Sequence, residues 1–355
     1  MTAAAHTSAS PEAGKRVLWT WARLLAGAAL LGFLCWQLGT GALLDGLRAV
    51  TVPAVAAALV IGLLTTVFSA ARWVLIARSL GLRLPLGAAV ASYYRALFLN
   101  VVLPGGVLGD VHRAVRHGKD EGDVGRGVRA VVLERTGGQV VLIAAGVAVL
   151  TAQPTLVPTQ AREVITMIGI ALVPVVLCLL AVAPVVARRW ADSGSKWRRG
   201  TAATVADLRT GLLSRRTWPG VLGFSAAALA GHLTLFLVAA RVAGTDAPIT
   251  QLLPIFLLAL LAMGLPVNVG GWGPREGVTA LTFGVAGLGA AQGLTVAVVY
   301  GLLSAVASLP GAGVLAFGSR RSAAADPASL QRVEAVPERL DEPVEHVPAF
   351  SGGRQ

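Results

Sequence analysis

The chain reads as an all-α, polytopic integral membrane helix bundle, with about six full spans plus two re-entrant hairpins or, alternatively, eight full spans. Three features lead there. The chain is 55% apolar and 14% charged with a mean hydropathy of +0.71, well short of the roughly 25% charge of a soluble domain. Uncharged runs long enough to cross a bilayer recur along its 355 residues. Two of these runs are interrupted by proline and glycine at a depth where lipid offers a broken backbone no partner.

The elements follow in order. Residues 1–14 read as a disordered terminus. Residues 17–38 form the first span, with Arg23 near its end and Trp19, Trp21 and Trp36 toward the two interfaces. The run is as long as a bilayer crossing and no small-residue cleavage site follows it, so a cleaved signal is not expected. Uncharged runs at 49–71, 136–161, 164–187 and 217–240 supply four more spans, and 294–317 a final one. Arg72-Trp73 ends the second span as an interface anchor. Residues 319–355 lack apolar periodicity and read as a disordered tail.

Lys and Arg mark the sides. Eight basic residues fall between Arg72 and Arg126 and eight more between Arg188 and Arg216, whereas the loops of Arg48, Arg162 and Arg241 hold one each. The positive-inside rule therefore places both termini in the cytoplasm. The net charge of +12 does not indicate nucleic acid, because aromatic residues are 6% and no basic motif recurs. Cys35 and Cys178 lie in separate apolar runs, so no disulfide framework or thiolate metal site is expected, and no cofactor either.

Two segments share one grammar: an apolar limb, Leu-Pro, a glycine-rich break and an ionic pair. The first runs through Leu103, Pro104, Gly105 and Gly106 to Gly109, Asp110 and Arg113. The second runs through Leu265, Pro266, Gly270, Gly271 and Gly273 to Arg275 and Glu276. The flanking spans correspond at nearly the same spacing, so 15–318 divides into halves of about 15–150 and 163–318 with opposite starting sides, as an inverted repeat requires. The limbs around 266–276, about 16 and 14 residues long, are short for a crossing and suit a re-entrant hairpin; two full crossings preserve the same parity.

Broken backbone at membrane depth points to a wet cavity. Gly273-Pro274 suits a helix start, whose free amides and dipole, with Arg275, form an anion site; Glu276 alternatively only complements that start. Asp110 is expected to cap a helix beginning at Val111, with Arg113 on the same face. Glu134 and Arg135 stand near the entry of a span, and since adjacent residues diverge on a helix each needs its own partner, Glu134 inside the protein. His232, alone in an apolar run, reads as a proton relay or a hydrogen-bonded structural residue. No H-E-x-x-H, phosphate-binding loop, G-x-S-x-G or paired-carboxylate arrangement is present, which leaves an ATP-driven pump or a hydrolase without its residues.

The ordered set LPGGVLGDVHR, VVLERTGG and LPVNVGGWGPREG resembles the lysylphosphatidylglycerol synthase/flippase transmembrane family, over roughly residues 15–318. Leu108-Gly109-Asp110 stands where Gly-Gly-Asp is usual, and Asn268 where a small hydroxyl residue is common; both departures concern the substrate rather than the fold. The resemblance implies a multi-pass protein of the bacterial plasma membrane that moves an anionic, aminoacylated or polyprenyl-phosphate-linked lipid between leaflets. The soluble aminoacyltransferase domain of the best-understood members is missing, so aminoacyl-lipid synthesis by this chain alone is not expected. The expected partner is a lipid with a phosphate headgroup; homo-oligomers are compatible with the pattern. Asp110, Arg113, Glu134, Arg135, Asn268, Arg275 and Glu276 are the candidate headgroup residues. A membrane-embedded lipid-linked glycosyl or acyl transferase, using the acidic group Asp110, Asp120, Glu121 and Asp123, and a non-transporting membrane partner protein stand as alternatives.

Overall fold

The computed structural model describes residues 41–102, 107–152, 214–264 and 273–316. The expected spans at 17–38 and 164–187, both terminal segments, and the break residues Pro104, Gly105, Gly106, Pro266, Asn268, Gly270 and Gly271 lie outside the described residues. What is described is helical: α1 (Gly41–Ala49), α2 (Val52–Ser79), α3 (Leu86–Val102), α4 (Leu108–Asp120), α5 (Val124–Ala152), α6 (Trp218–Val242), α7 (Ile249–Met263), α8 (Pro274–Val285) and α9 (Ala290–Ser308). Among the described residues four helices are long and apolar enough to cross a membrane: α2, α5, α6 and α9, the last extended to Ala316. Only 28–39% of each apolar window is buried inside the protein, and the remainder exposes Leu59, Leu63 and Leu64 on α2 or Val140 and Val147 on α5. Such faces are stable only against lipid, and the chain is a polytopic helical membrane protein.

One order of elements occurs twice. A long helix, a short apolar helix, a glycine-rich break, a second short helix and a long helix follow one another as α2–α3–α4–α5 and again as α6–α7–α8–α9. The short helices α7 and α8 have 15 and 12 residues. At 1.5 Å per residue each reaches about 18–23 Å, less than the roughly 30 Å hydrocarbon core. In the first copy α4 is too polar for lipid, and protein covers one face of it: Gly109, Arg113, Ala114, His117 and Gly118 are buried, with Gly109 against the Ala96 carbonyl of α3 and Gly118 against Gly127 of α5, while His112, Arg116 and Lys119 on the other face are exposed.

The first helices of the two copies form the most extensive packing, α2 on α6. Their crossing depends on Gly231, where any Cβ would collide with the Thr65 hydroxyl. On either side lie two apolar cores. One joins Phe236 of α6, Phe256 of α7, Phe283 of α8 and Tyr300 of α9; the other joins Trp73 and Ile76 of α2, Tyr93 of α3 and Leu133 of α5. Polar residues of α2, α4 and α5 therefore meet between cores rather than at a surface.

The long helices start and end differently from the apolar runs. The α2 helix continues through Arg72 and Trp73 to Ser79, and α5 begins at Val124, so Glu134 and Arg135 lie well inside a helix rather than at its entry. The physical reason is that Arg72 of α2 and Glu134 of α5 neutralise one another and Asp110 of α4 pairs with Arg135, which removes the need for a helix end or an interface at these positions.

A bulky residue at the central crossing tests this packing. Gly231→Leu is expected to lower the thermal midpoint of the purified protein, consistent with an overpacking cost of about 1–3 kcal/mol. Gly223→Leu, where a Cβ meets nothing within 4 Å, is expected to leave the midpoint nearly unchanged.

Candidate functional site

The site is built around Glu134, whose side chain is fully enclosed. Its Oε1 accepts from Arg72 Nε at 3.0 Å, from Arg72 Nη2 and from the Tyr93 hydroxyl at 3.1 Å; its Oε2 accepts from Arg113 Nη2 at 2.6 Å. Arg72 also donates from Nη1 to Ser225 Oγ of α6 at 3.0 Å. Gly138, one turn beyond Glu134, leaves the room that the Arg72 guanidinium fills. Arg113 is enclosed as well, over the rings of Tyr93 at 4.2 Å and Trp73 at 4.7 Å. Two guanidiniums on one buried carboxylate make an electrostatic clamp across α2, α4 and α5.

The chain of contacts continues outward. Arg113 Nε donates to Asp110 Oδ1 at 2.9 Å, and Asp110 Oδ2 accepts from Arg135 Nη2 at 2.6 Å and Asn100 Nδ2 at 3.2 Å. Asp110 is thus in the first turn of a helix that begins at Leu108, not the cap of one beginning at Val111. The capping role falls to Asn100, whose Oδ1 accepts the Gly109 amide at 2.7 Å. Glu134 and Arg135 diverge as adjacent helical residues do: one faces the clamp and the other faces Asp110.

Among the described residues the carboxylates facing Arg72, Arg113 and Arg135 are those of Glu134 and Asp110, three positive charges against two negative. The open side belongs to Arg135, whose side chain is 47% exposed. Among the described residues Asp110 takes one of its N–H donors, and the guanidinium lies 5.9 Å from the Tyr93 ring centroid. His232 of α6 is within electrostatic range of both Arg135 and Arg72.

The second copy carries a smaller arrangement. Helix α8 starts as expected, with Gly273 at φ +116°, Pro274 in the first position and the Gly273 amide donating to Glu276 Oε2 at 2.7 Å. Arg275 is almost fully buried and donates from Nε at 3.0 Å, and from Nη2, to Oε1 of its own neighbour Glu276. Adjacent residues meet here because both side chains in a first turn lean back over the helix start. The Arg275 guanidinium lies 5.2 Å from the ring of Tyr300, which stacks on Phe236 at 3.9 Å and shares a hydrogen bond of 3.3 Å with His232. His232 and Tyr300 therefore connect the two arrangements.

The structure brings Asp110, Arg113, Glu134 and Arg135 together and, separately, Arg275 and Glu276. Arg72 and Trp73, read as an interface anchor, are both buried, and Arg72 is a principal partner of Glu134. Tyr93, Asn100 and Ser225 were not among the sequence candidates. A tyrosine and an asparagine inside the apolar 86–103 limb were a usable signal; a serine in the Ala-rich α6 offered none. The acidic group of the transferase alternative is dispersed: Asp110 is in the cluster, Glu121 accepts the Arg83 amide and Asp123 pairs with Arg126 at a half-exposed position.

Short helices between long ones, spans with lipid-facing sides and an ion cluster buried among α2, α4 and α5 define a polytopic helical membrane protein that keeps paired charges in its interior. Residues 20–311 match the family described as the lysylphosphatidylglycerol synthase TM region, and the chain belongs to that family. Comparison with curated proteins gives no match.

Neutralising the central carboxylate tests the clamp. Glu134→Gln leaves the buried Arg72 guanidinium without its counter-charge and Arg113 with Asp110 alone, and is expected to destabilise the fold by about 3–5 kcal/mol, read as loss of monodisperse protein in detergent. Combining it with Arg72→Gln is expected to recover part of that loss, since the coupled pair is removed together.

Proposed function

We propose that this protein moves a lipid with a phosphate headgroup, an anionic, aminoacylated or polyprenyl-phosphate-linked one, between the leaflets of the bacterial plasma membrane, with both termini cytoplasmic. The observation that carries the reading is Arg135: a guanidinium held by Asp110 and otherwise about half exposed, beside a cluster that among the described residues holds one positive charge more than negative. A phosphate there receives charge-assisted hydrogen bonds at a depth where its alternative is hydrocarbon.

The chain's own residues divide the work. Glu134 fixes Arg72 and Arg113 and so holds α2, α4 and α5 at one spacing. Arg113, enclosed between aromatic rings and two carboxylates, acts as a brace, which makes Arg135 the headgroup ligand of the first copy. Asp110 holds Arg135 when no lipid is bound and yields when a phosphate competes. Arg275 supplies a second cation in the other copy; exchange of its partner Glu276 for a phosphate transfers the headgroup between the copies as they rock. The family membership supports a lipid substrate, and the acyl chains remain beside the apolar outer faces of the spans.

Reconstitution tests the reading. Liposomes holding the purified chain are expected to move a labelled phosphatidylglycerol, its lysyl ester or a polyprenyl phosphate to the opposite leaflet, with Arg135→Gln slowing transfer at least about tenfold. Absence of movement for every one of these lipids, or full activity of both Arg135→Gln and Arg275→Gln, contradicts it.

A further inference from the structure

A second concentration of positive charge lies between α3 and α4. A cavity of about 200 Å³ opens there, against about 10–15 Å³ needed to hold one water on the same measure, so it has room for a phosphate group. One helical face of α4 lines it: His112 and Arg116 are four residues apart, as are Arg113 and His117. Arg95 of α3 lines it from the other side.

Arg95 is buried as a residue, its guanidinium is not sealed from solvent, and it has no carboxylate partner among the described residues, with the like charge of Arg116 nearby. Arg113 Nη1 and His117 Nε2, on two further lining residues, are buried without a hydrogen-bond partner. Unpaired buried donors are costly enough that a folded protein normally supplies each with an acceptor. The acidic lining residues do not meet this need: Glu121 accepts the Arg83 amide, and Arg83, Arg95 and Arg116 still outnumber Asp120 and Glu121. Burial, and after it the charges of Arg95 and Arg116, hold the His112 imidazole below its ordinary value, as a positive local potential does.

We propose that this cavity is a phosphate-binding site separate from Arg135, in which Arg95, Arg116 and His112 bind the anionic oxygens of a phosphate mono- or diester. The site is independent of the transport reading, because Arg135 is not part of its lining. Its ligand chemistry comes from one of two sources, a free phosphate or the headgroup of an anionic lipid.

The test uses the full chain in nanodiscs, read as the thermal midpoint. In phosphatidylcholine nanodiscs, inorganic phosphate is expected to raise the midpoint in a saturable manner. Arg95→Gln and Arg116→Gln are each expected to weaken that effect about tenfold, whereas Arg126→Gln, the same change at a half-exposed pair with Asp123, leaves it intact. If phosphate is without effect but phosphatidylglycerol in the nanodisc raises the midpoint with the same dependence on Arg95 and Arg116, the site is a lipid-headgroup site. Should Arg95→Gln fail to fold, Arg95→Lys with Arg116→Gln serves in its place. A midpoint that responds to neither anion, or responds equally in the wild type and the Arg95 and Arg116 variants, overturns the proposal.

Discussion

A carboxylate in the middle of a membrane helix has no solvent to rely on, and Glu134 is one. It is fully enclosed, and the groups that compensate it come from elsewhere in the chain: Arg72 on α2, Tyr93 on α3 and Arg113 on α4. The requirement that this one charge be paired fixes how four helices stand to one another. It also explains two local features with no other purpose: a glycine at 138 that admits the Arg72 guanidinium, and a glycine at 109 that lets α4 approach α3 closely enough for Arg113 to reach inward. Removing one partner is far more damaging than replacing the set, because the cost lies in the charge left behind.

From this constraint the polar architecture follows in layers. The clamp of Glu134 is closed to solvent. Beyond it, Asp110 passes the ion pairing on to Arg135, and at Arg135 the network opens. On another side of Arg113 lies the cavity bounded by Arg95, His112 and Arg116. Arg113 thus separates two places where a negatively charged group can be received, and its own interactions with two carboxylates and two aromatic rings keep it from serving as a mobile ligand in either. The second copy repeats the principle in smaller form, with Glu276 holding both the Gly273 amide that begins α8 and the Arg275 side chain.

Much of this was legible in the sequence, and the portions that were not have definite causes. The four described spans, the short limbs and the start of α8 at Gly273-Pro274 follow from run length and helix-start chemistry, which are local properties. The inward position of Glu134 followed from the cost of a carboxylate in an apolar stretch. Arg72 was misjudged because an arginine beside a tryptophan at the end of an uncharged run has the same local pattern whether it anchors at an interface or is drawn inside; only Glu134, 62 positions away in the chain, distinguishes the two. Asp110 was read as a cap because its true neighbour, Asn100, lies across the glycine break. Ion pairing across a break is a tertiary fact, and periodicity carries no record of it.

A density map of the full chain in lipid nanodiscs containing phosphatidylglycerol is the most direct measurement of the account. It predicts the Glu134 carboxylate between the guanidiniums of Arg72 and Arg113, enclosed by protein, with ordered water or a phosphate-sized peak in hydrogen-bonding contact with Arg135. Glu134 and Arg113 found apart on faces bathed by bulk solvent, or Arg135 packed against apolar side chains with no room beside it, would contradict the account.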